Sequence, residues 1–478
     1  MEGLSKFDPR FLAFAGSVYM GLKGGAGSLL RLAMLPLFKT LVNVSSSTQY
    51  QKLTLIVLLP WSLKGIFGLL SDFFPIFSFR KRYYILMASI VGTVAMAAVA
   101  ATAATSASAT TVAFLLFVVN VQIAWVDICT EAKYAEYMRG LPETGGLLVS
   151  LIWGSMFCAQ TVAVIIGGLL ADAGRTDIIL WICTVLCGQV IGPTLAGWLA
   201  EDPCTAPEFD RGLVITAGTI TAAAAGLTVV TLVGSWMVHI VYAVLSAVVI
   251  SAVAWRYLPP DIARANQYMF MSSALYLSYP GSMDYFFTAS SKCVPNGPAF
   301  PLSYYITVLG LSASVVGVFG IIIVQRFFGS ASFRRLFWCT TGFKCIASIF
   351  DVVIVKRLNL PHIPDKVFMM LGSGMAIPLA QTMDAMPAVV LTSKLCPRQH
   401  EAVFYAILAG YQNFGSALSV LLGSAAAEAA GVEFNDDVCT YDNFAAMIVA
   451  GNVVLPLLCI PLAYFLIPDV SMTAKQLR

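Results

Sequence analysis

Six ionisable residues of this chain, Lys23, Lys64, Asp127, Lys344, Asp351 and Asp384, fall inside apolar stretches long enough to cross a bilayer. A charge at the centre of a membrane helix costs roughly 2.5 to 3.5 kcal/mol on insertion scales, so each must face a partner, water or a ligand. Lysines at that depth can hold an anion. Carboxylates there can take up and release a proton. Asp384, about 15 Å from the helix end marked by Lys394 at 1.5 Å per residue, is the first choice for that role, with Asp127 second. This is the chemistry of recognising and moving charge. No metal-ligand spacing, glycine-rich phosphate loop or nucleophile elbow occurs, and His239, His362 and His400 are the only histidines. No catalytic residue, cofactor or metal is therefore expected.

The elements that must position these charges follow from composition. Of 478 residues 59% are hydrophobic and only 11% charged, with a mean hydropathy of +0.83, whereas roughly a quarter of a soluble protein is charged. The reading is an all-α, multi-pass membrane protein. Apolar runs able to span a core of about 30 Å lie at 11–30, 51–72, 83–103, 110–129, 145–171, 178–200, 213–234, 236–257, 267–289, 302–325, 335–355, 366–393, 401–430 and 443–467. The first is interrupted by Lys23 and the stretch Gly24-Gly25-Ala26-Gly27. It is expected to be a broken helix, since unwound backbone at that depth is tolerated only where it lines a cavity. Glycines at 145, 146, 154, 167 and 168 are expected to let helices approach closely.

The net charge of +3 carries no message about nucleic acid. Its distribution favours cytosolic termini under the positive-inside rule, with the loop at 356–366, carrying Lys356, Arg357 and Lys366, as the main dissent. The segment before the first run has neither a cleavage site nor a presequence composition, so plastid or mitochondrial import by a cleaved presequence is not expected; the plasma membrane is the expected location, with an organellar membrane as the alternative. Most of the eleven cysteines sit inside helices as small packing residues. Cys293 and Cys439 fall in external loops and are candidates for a disulfide.

Two halves of the chain echo each other. Gly68, Asp72 and Arg80 to Arg82 have a counterpart in Gln325-Arg326-Phe327 with Arg334-Arg335, and the string Asp127, Glu131, Lys133, Glu136, Arg139 has one in Asp384, Pro387, Lys394, Pro397 and Glu401. Such repeats characterise folds of two bundles related about the membrane normal. The expected organisation is an N-terminal six-helix bundle over 1–200, a cytosolic loop and two inserted helices over 201–266, and a C-terminal six-helix bundle over 267–478. Asp72, Arg80, Arg82, Glu131, Glu136, Arg139, Lys394 and Glu401 then mark a cytosolic gate whose charge pairs form in one state and break in another.

The order Pro60-Trp61, Lys64, Gly68, Ser71-Asp72, Pro75-Ile76 and Arg80 to Tyr83 resembles the signature of the folate-biopterin transporter family, a branch of the major facilitator superfamily. The acidic string of Asp127 to Arg139, the stretch Leu391 to Pro397 with Glu401, Tyr405-Ala406 and Gln412 to Gly415 extend the resemblance over nearly the whole chain. The chain departs from the family at Gly65, where proline is usual, and at Arg398-Gln399-His400, where many relatives carry glycine. The resemblance implies a secondary active importer of folate or a pteridine such as biopterin. It would be proton-coupled, work by alternating access and act as a monomer. A carrier of S-adenosylmethionine or another small metabolite is the alternative. For a flat pterin with an anionic glutamate tail, Lys64 and Lys23 would meet the tail. Asp127, Asp384, Gln381 and Asn413 would meet the pterin edge, and Trp61, Phe286, Tyr279 and Phe287 would offer stacking surfaces. Lys344 and Asp351, seven residues apart on one helical face, are read as structural.

Overall fold

The computed structural model describes residues 7–102, 108–140, 145–203, 210–328, 331–395, 401–435 and 439–471. Because a bilayer offers no water to backbone groups, a chain this apolar must satisfy its own N–H and C=O groups along helices. The helices are α1 (Pro9–Gly16), α2 (Gly27–Pro36), α3 (Ser47–Leu58), α4 (Lys64–Phe73), α5 (Arg82–Thr102), α6 (Ala109–Gly140), α7 (Gly145–Asp172), α8 (Thr176–Gly188), α9 (Ile191–Leu195), α10 (Arg211–Val233), α11 (Trp236–Tyr257), α12 (Pro260–Ala274), α13 (Pro280–Phe287), α14 (Leu309–Phe327), α15 (Phe333–Val355), α16 (Asp365–Met369), α17 (Ile377–Leu395), α18 (Glu401–Ala430), α19 (Phe444–Ile448) and α20 (Cys459–Leu466). A two-stranded antiparallel ribbon, β1 (Glu433–Phe434) with β2 (Cys439–Thr440), lies between α18 and α19. Among the described residues, 11 helical segments are long and apolar enough to cross a membrane.

The chain forms two compact units. The first comprises Met1–Asn43, Ile56–Ala217 and Ala402–Ile407; the second comprises Val44–Leu55, Gly218–Glu401 and Leu408–Arg478. In the first unit the glycine stretch expected to unwind is instead helical. Ser17–Ala26 is a π-helical segment joining α1 to α2. Gly24 sits so close to α7 that a Cβ there would lie 2.8 Å from the Met156 carbonyl oxygen. The glycines thus serve backbone contact, not a break. Gly167 likewise meets Leu29 and Leu32, whereas Gly154 faces open space and contributes no such contact.

The break occurs in the second unit, in the run at 267–289. Between α12 and α13 the segment Leu275–Tyr279 leaves the helix, and its backbone groups are met from outside. The Leu277 N–H donates to the Gly451 carbonyl at 3.2 Å and the Ser278 N–H to the Ser419 carbonyl at 3.3 Å. In return the Asn452 amide donates to the Leu277 carbonyl at 2.8 Å, and the Gln51 amide donates to the Ser278 and Val420 carbonyls at 3.3 and 3.0 Å. Unwound backbone at this depth requires such partners. The approach depends on Gly423, where a Cβ would collide with the Ser278 carbonyl oxygen.

On the loop side of this unit Cys293 and Cys439 form a disulfide with Cα atoms 5.3 Å apart, joining the turn after α13 to β2. The basic loop at 356–366 is also less cationic than its sequence reads. Asp365 holds the Arg357 guanidinium with contacts of 2.9 and 2.6 Å.

Gly423→Val is expected to destabilise the protein by about 1 to 3 kcal/mol, the usual cost of overpacking, seen as a thermal midpoint lowered by several degrees in detergent. Gly154→Ala, in open space, should leave the midpoint unchanged. Equal midpoints for the two variants would show that the unwound segment does not depend on this approach.

Candidate functional site

In the first unit α4 is preceded by a 3-10 turn at Leu59–Leu63, where Pro60 has no N–H to give to a regular helix. The turn delivers Trp61 and then Lys64, the first residue of α4. Opposite it, α6 carries Asp127 and Glu131 four residues apart, hence on one face. The π-helical segment presents Lys23. These charges converge. Lys23 Nζ lies 2.9 Å from both Asp127 carboxylate oxygens, Lys64 Nζ lies 2.7 Å from Asp127 Oδ2, and Lys64 Nζ lies 3.4 Å from Glu131 Oε2. The side chains are nearly sealed: Asp127 is 0% exposed, Lys64 6% and Lys23 17%. Two ammonium groups and two carboxylates sum to zero, the condition under which buried charges are tolerable.

Aromatic faces wall the quartet. Lys23 Nζ lies 5.3 Å from the ring centre of Tyr19, 5.8 Å from Trp61 and 5.5 Å from Trp153, and Lys64 Nζ lies 5.1 Å from Trp61. These are cation–π distances. The Trp61 indole N–H donates to Asn120 Oδ1 at 3.1 Å, which fixes the ring. Tyr19 and Trp153 were not foreseen from sequence. Their types are ordinary in a membrane helix, and only the fold sets them over Lys23.

The second unit holds a smaller ion pair. Lys344 Nζ on α15 meets Asp384 Oδ2 on α17 at 3.1 Å, and the Thr340 hydroxyl donates to Asp384 Oδ1 at 2.9 Å. The unwound segment contributes Tyr276, whose ring centre lies 4.6 Å from Lys344 Nζ and whose hydroxyl contacts Ser348 Oγ at 2.8 Å. Lys344 thus pairs across to Asp384, not along its own helix to Asp351. Gln381 is exposed three residues before Asp384 on α17, and Asn413 is half-buried on α18. Phe286 is fully buried in a cluster with Phe287, Phe434, Tyr441 and Phe444, at ring distances of 5.3 to 5.9 Å, and Tyr279 is buried with its hydroxyl on the Met447 carbonyl. Burial of this kind gives Phe286 a packing role in the conformation seen.

Of the residues assigned to the gate, Asp72 and Glu136 meet in the first unit through Lys81, at 3.8 and 3.5 Å, and Glu136 also takes Lys133 at 2.8 Å. Glu131 turns inward to Lys64. Arg82 spans to the Leu195 carbonyl at 2.6 Å. The side chains of Arg139, Lys394 and Glu401 lie outside the described residues. Two participants were missed: Lys81, indistinguishable in a run of three basic residues, and Glu201. The Glu201 carboxylate accepts from the N–H groups of Arg80, Lys81 and Arg82 at 2.8, 2.9 and 3.0 Å, capping α5 as an anion suits a helix N-terminus. Burial disfavours the Lys81 ammonium, but Asp72 and Glu136 outweigh it and hold its pKa above the ordinary lysine value. Burial would likewise raise the Glu136 carboxyl, but Lys81 and Lys133 hold it below the ordinary range. The cluster's stabilisation is therefore present between those two ranges. It is lost as pH falls through the lowered glutamate value or rises through the raised lysine value.

Charge balance in the quartet is testable. Asp127→Asn leaves a formal +1 and Lys64→Met a formal −1, and each is expected to cost about 3 to 5 kcal/mol, as removing one partner of a buried pair does. The double variant restores neutrality and should be more stable than either single one in a thermal double-mutant cycle. Additive losses would mean that the four groups do not compensate one another.

The fold built around these sites is similar to solved structures of transporters. An auto-inhibited POT family peptide transporter superposes with a TM-score of 0.68 at 14% identity over 96% of this chain and 94% of its own. A D-xylose-proton symporter does so with a TM-score of 0.56 at 13% identity, over 98% and 99%. The architecture is thus of the major-facilitator type. Among curated proteins, "Probable folate-biopterin transporter 2" of Arabidopsis thaliana is 25% identical over 409 residues, 85% of this chain and 74% of the relative. "Folate-biopterin transporter" of a Synechocystis strain is 24% identical over 402 residues, 83% and 71%. The model of the BT1 family matches residues 23–477, a span that takes in the buried quartet, the Lys81 cluster and the Lys344–Asp384 pair, and the chain belongs to that family of multi-pass membrane transporters.

Proposed function

We propose that this protein is a secondary active transporter that imports folate or a pteridine such as biopterin by alternating access, coupled to protons. The observation that carries the reading is the buried quartet with its aromatic walls. An anionic substrate tail can displace Asp127 or Glu131 from Lys23 and Lys64, exchanging one ion pair for another. A flat pterin can meanwhile stack on Trp61 or Trp153. The relatives named as folate-biopterin transporters support the same substrate class. Lys23, with the most accessible ammonium of the quartet, is the point of first contact.

In this reading the Lys81 cluster with Glu201 closes the cytosolic side of the first unit, and Asp72, Arg80 and Arg82 shape the same loop. Gln381, Asp384 and Asn413 offer polar contacts from the second unit. As proton sites, Asp127 and Asp384 each require their lysine to move away first, because each is engaged in an ion pair. The Cys293–Cys439 disulfide fits a loop that faces an oxidising compartment, which is compatible with the plasma membrane; action as a monomer is part of the same reading.

The test is uptake of labelled folate in cells expressing the protein, with biopterin, glucose and S-adenosylmethionine as competitors. Biopterin and unlabelled folate should compete and the others should not. Lys64→Ala is expected to lower uptake at least tenfold, about 1.4 kcal/mol, with protein still at the membrane. Lys64→Arg should rescue poorly because its planar head does not replace a compact ammonium. Normal uptake by the alanine variant, or competition by S-adenosylmethionine alone, would overturn the assignment.

A further inference from the structure

Among the buried charges of the described residues, one stands without a counter-charge within ion-pair distance. Asp351 on α15 is 7% exposed, and its polar partner is the Ser373 hydroxyl, which donates to Oδ1 at 2.9 Å from the π-helical segment Met370–Ala376. No lysine or arginine lies within ion-pair distance of it among the described residues. The cations of its neighbourhood are all engaged or exposed. Lys344, seven residues earlier on α15, holds Asp384; Arg357 holds Asp365; Lys366 is exposed and reaches over the Tyr304 ring; Lys356 and His362 are exposed. The phenols of Tyr276, in the unwound segment, and of Tyr305, in Ser303–Val308, are near enough to Asp351 to interact with its charge. Tyr305 in turn donates to Asp284 at 2.8 Å. The π-helical segment Val449–Val454 supplies Asn452, and α19 supplies no acid or base.

The quartet is neutral without a proton, and so is the Lys344–Asp384 pair. Asp351 reaches neutrality in a low-dielectric interior only by acquiring a cation, and the smallest is a proton. It lies four residues from the end of α15 at Val355, about 6 Å at 1.5 Å per residue, next to the loop read as external. We propose that Asp351, oriented by Ser373, is the site that carries the coupling proton, an inference that rests on the proton-coupled reading of the protein. A proton from external water bonds to a carboxylate oxygen of Asp351, the neutral acid forms, and the same O–H bond breaks to release the proton to the opposite side. No other bond changes.

The experiment uses the full chain in proteoliposomes with labelled folic acid. Accumulation is driven by an acid-outside gradient and compared with counterflow at equal pH. The wild type should accumulate. Asp351→Asn should lose accumulation at least tenfold and show a flat pH profile, while counterflow persists. Asp351→Glu should restore a pH profile, and Ser373→Ala should move the pH of half-maximal accumulation without altering counterflow. An asparagine variant that accumulates folic acid with the wild-type pH profile overturns the assignment. If that variant loses accumulation and counterflow together, a glutamate variant with restored pH dependence supports the site and an inactive one overturns it. A wild type indifferent to the gradient overturns proton coupling itself, a failure visible before any variant is made.

Discussion

Charge compensation in a medium without water is the constraint on which this structure depends. An isolated ion moved out of water loses several kcal/mol even after relaxation, so each ammonium at depth fixes the position of an acid. Lys23 and Lys64 draw the π-helical segment and α4 onto α6 through Asp127 and Glu131. Lys344 draws α15 to α17 through Asp384. These pairs are weak evidence for stability as such, because apolar replacements often serve as well.

The places where the helices depart from regular geometry are the places where polar residues gather. Lys23 sits in a π-helical segment, Lys64 follows a 3-10 turn, Tyr276 lies in unwound backbone, and Ser373 and Asn452 lie in two further π-helical segments. A π turn shifts the register of the side chains that follow it and leaves carbonyl groups poorly paired. Both effects make room for a polar side chain or a ligand. The unwound segment goes further, since its amides are held by side chains and carbonyls of neighbouring elements, and such contacts are easier to exchange than a helix's own.

Local electrostatics at the ends of helices obey a different balance. Around Lys81, itself 6% exposed, the acids differ: Asp72 is 17% and Glu136 41% exposed, so the pair with Glu136 contributes little alone. Glu201 is the exception in kind. Its carboxylate satisfies three backbone donors of the Arg80–Arg82 segment at once and joins chain segments about 120 residues apart. Such a cap holds the loop in one conformation beside the Asp72–Lys81–Glu136 ion pairs.

The all-helical membrane class follows from composition with run length, because a chain 59% hydrophobic and 11% charged suits lipid and its apolar runs have the length of spanning helices, not of the short alternating strands of a barrel. The identity of the residues that need partners was legible for the same reason: a lysine in an apolar run announces a cost. The partner itself was not. Lys23 meets an acid 104 positions away and Lys64 one 63 positions away, while Lys344 passes over Asp351 on its own helix for Asp384. Neutrality demands some counter-charge without naming it, and that choice is made by packing. Glycines show the same division. The stretch at Gly24 to Gly27 reads as interruptible and the run at 267–289 as an ordinary span, yet close contact with α7 keeps the first helical, whereas partners at Gln51, Ser419, Gly451 and Asn452 let the second unwind. Composition and pattern determined which residues could not stand alone. Tertiary structure decided what stands beside them, because hydrogen bonds and ion pairs in a low-dielectric interior are set by distances that no sequence spacing encodes.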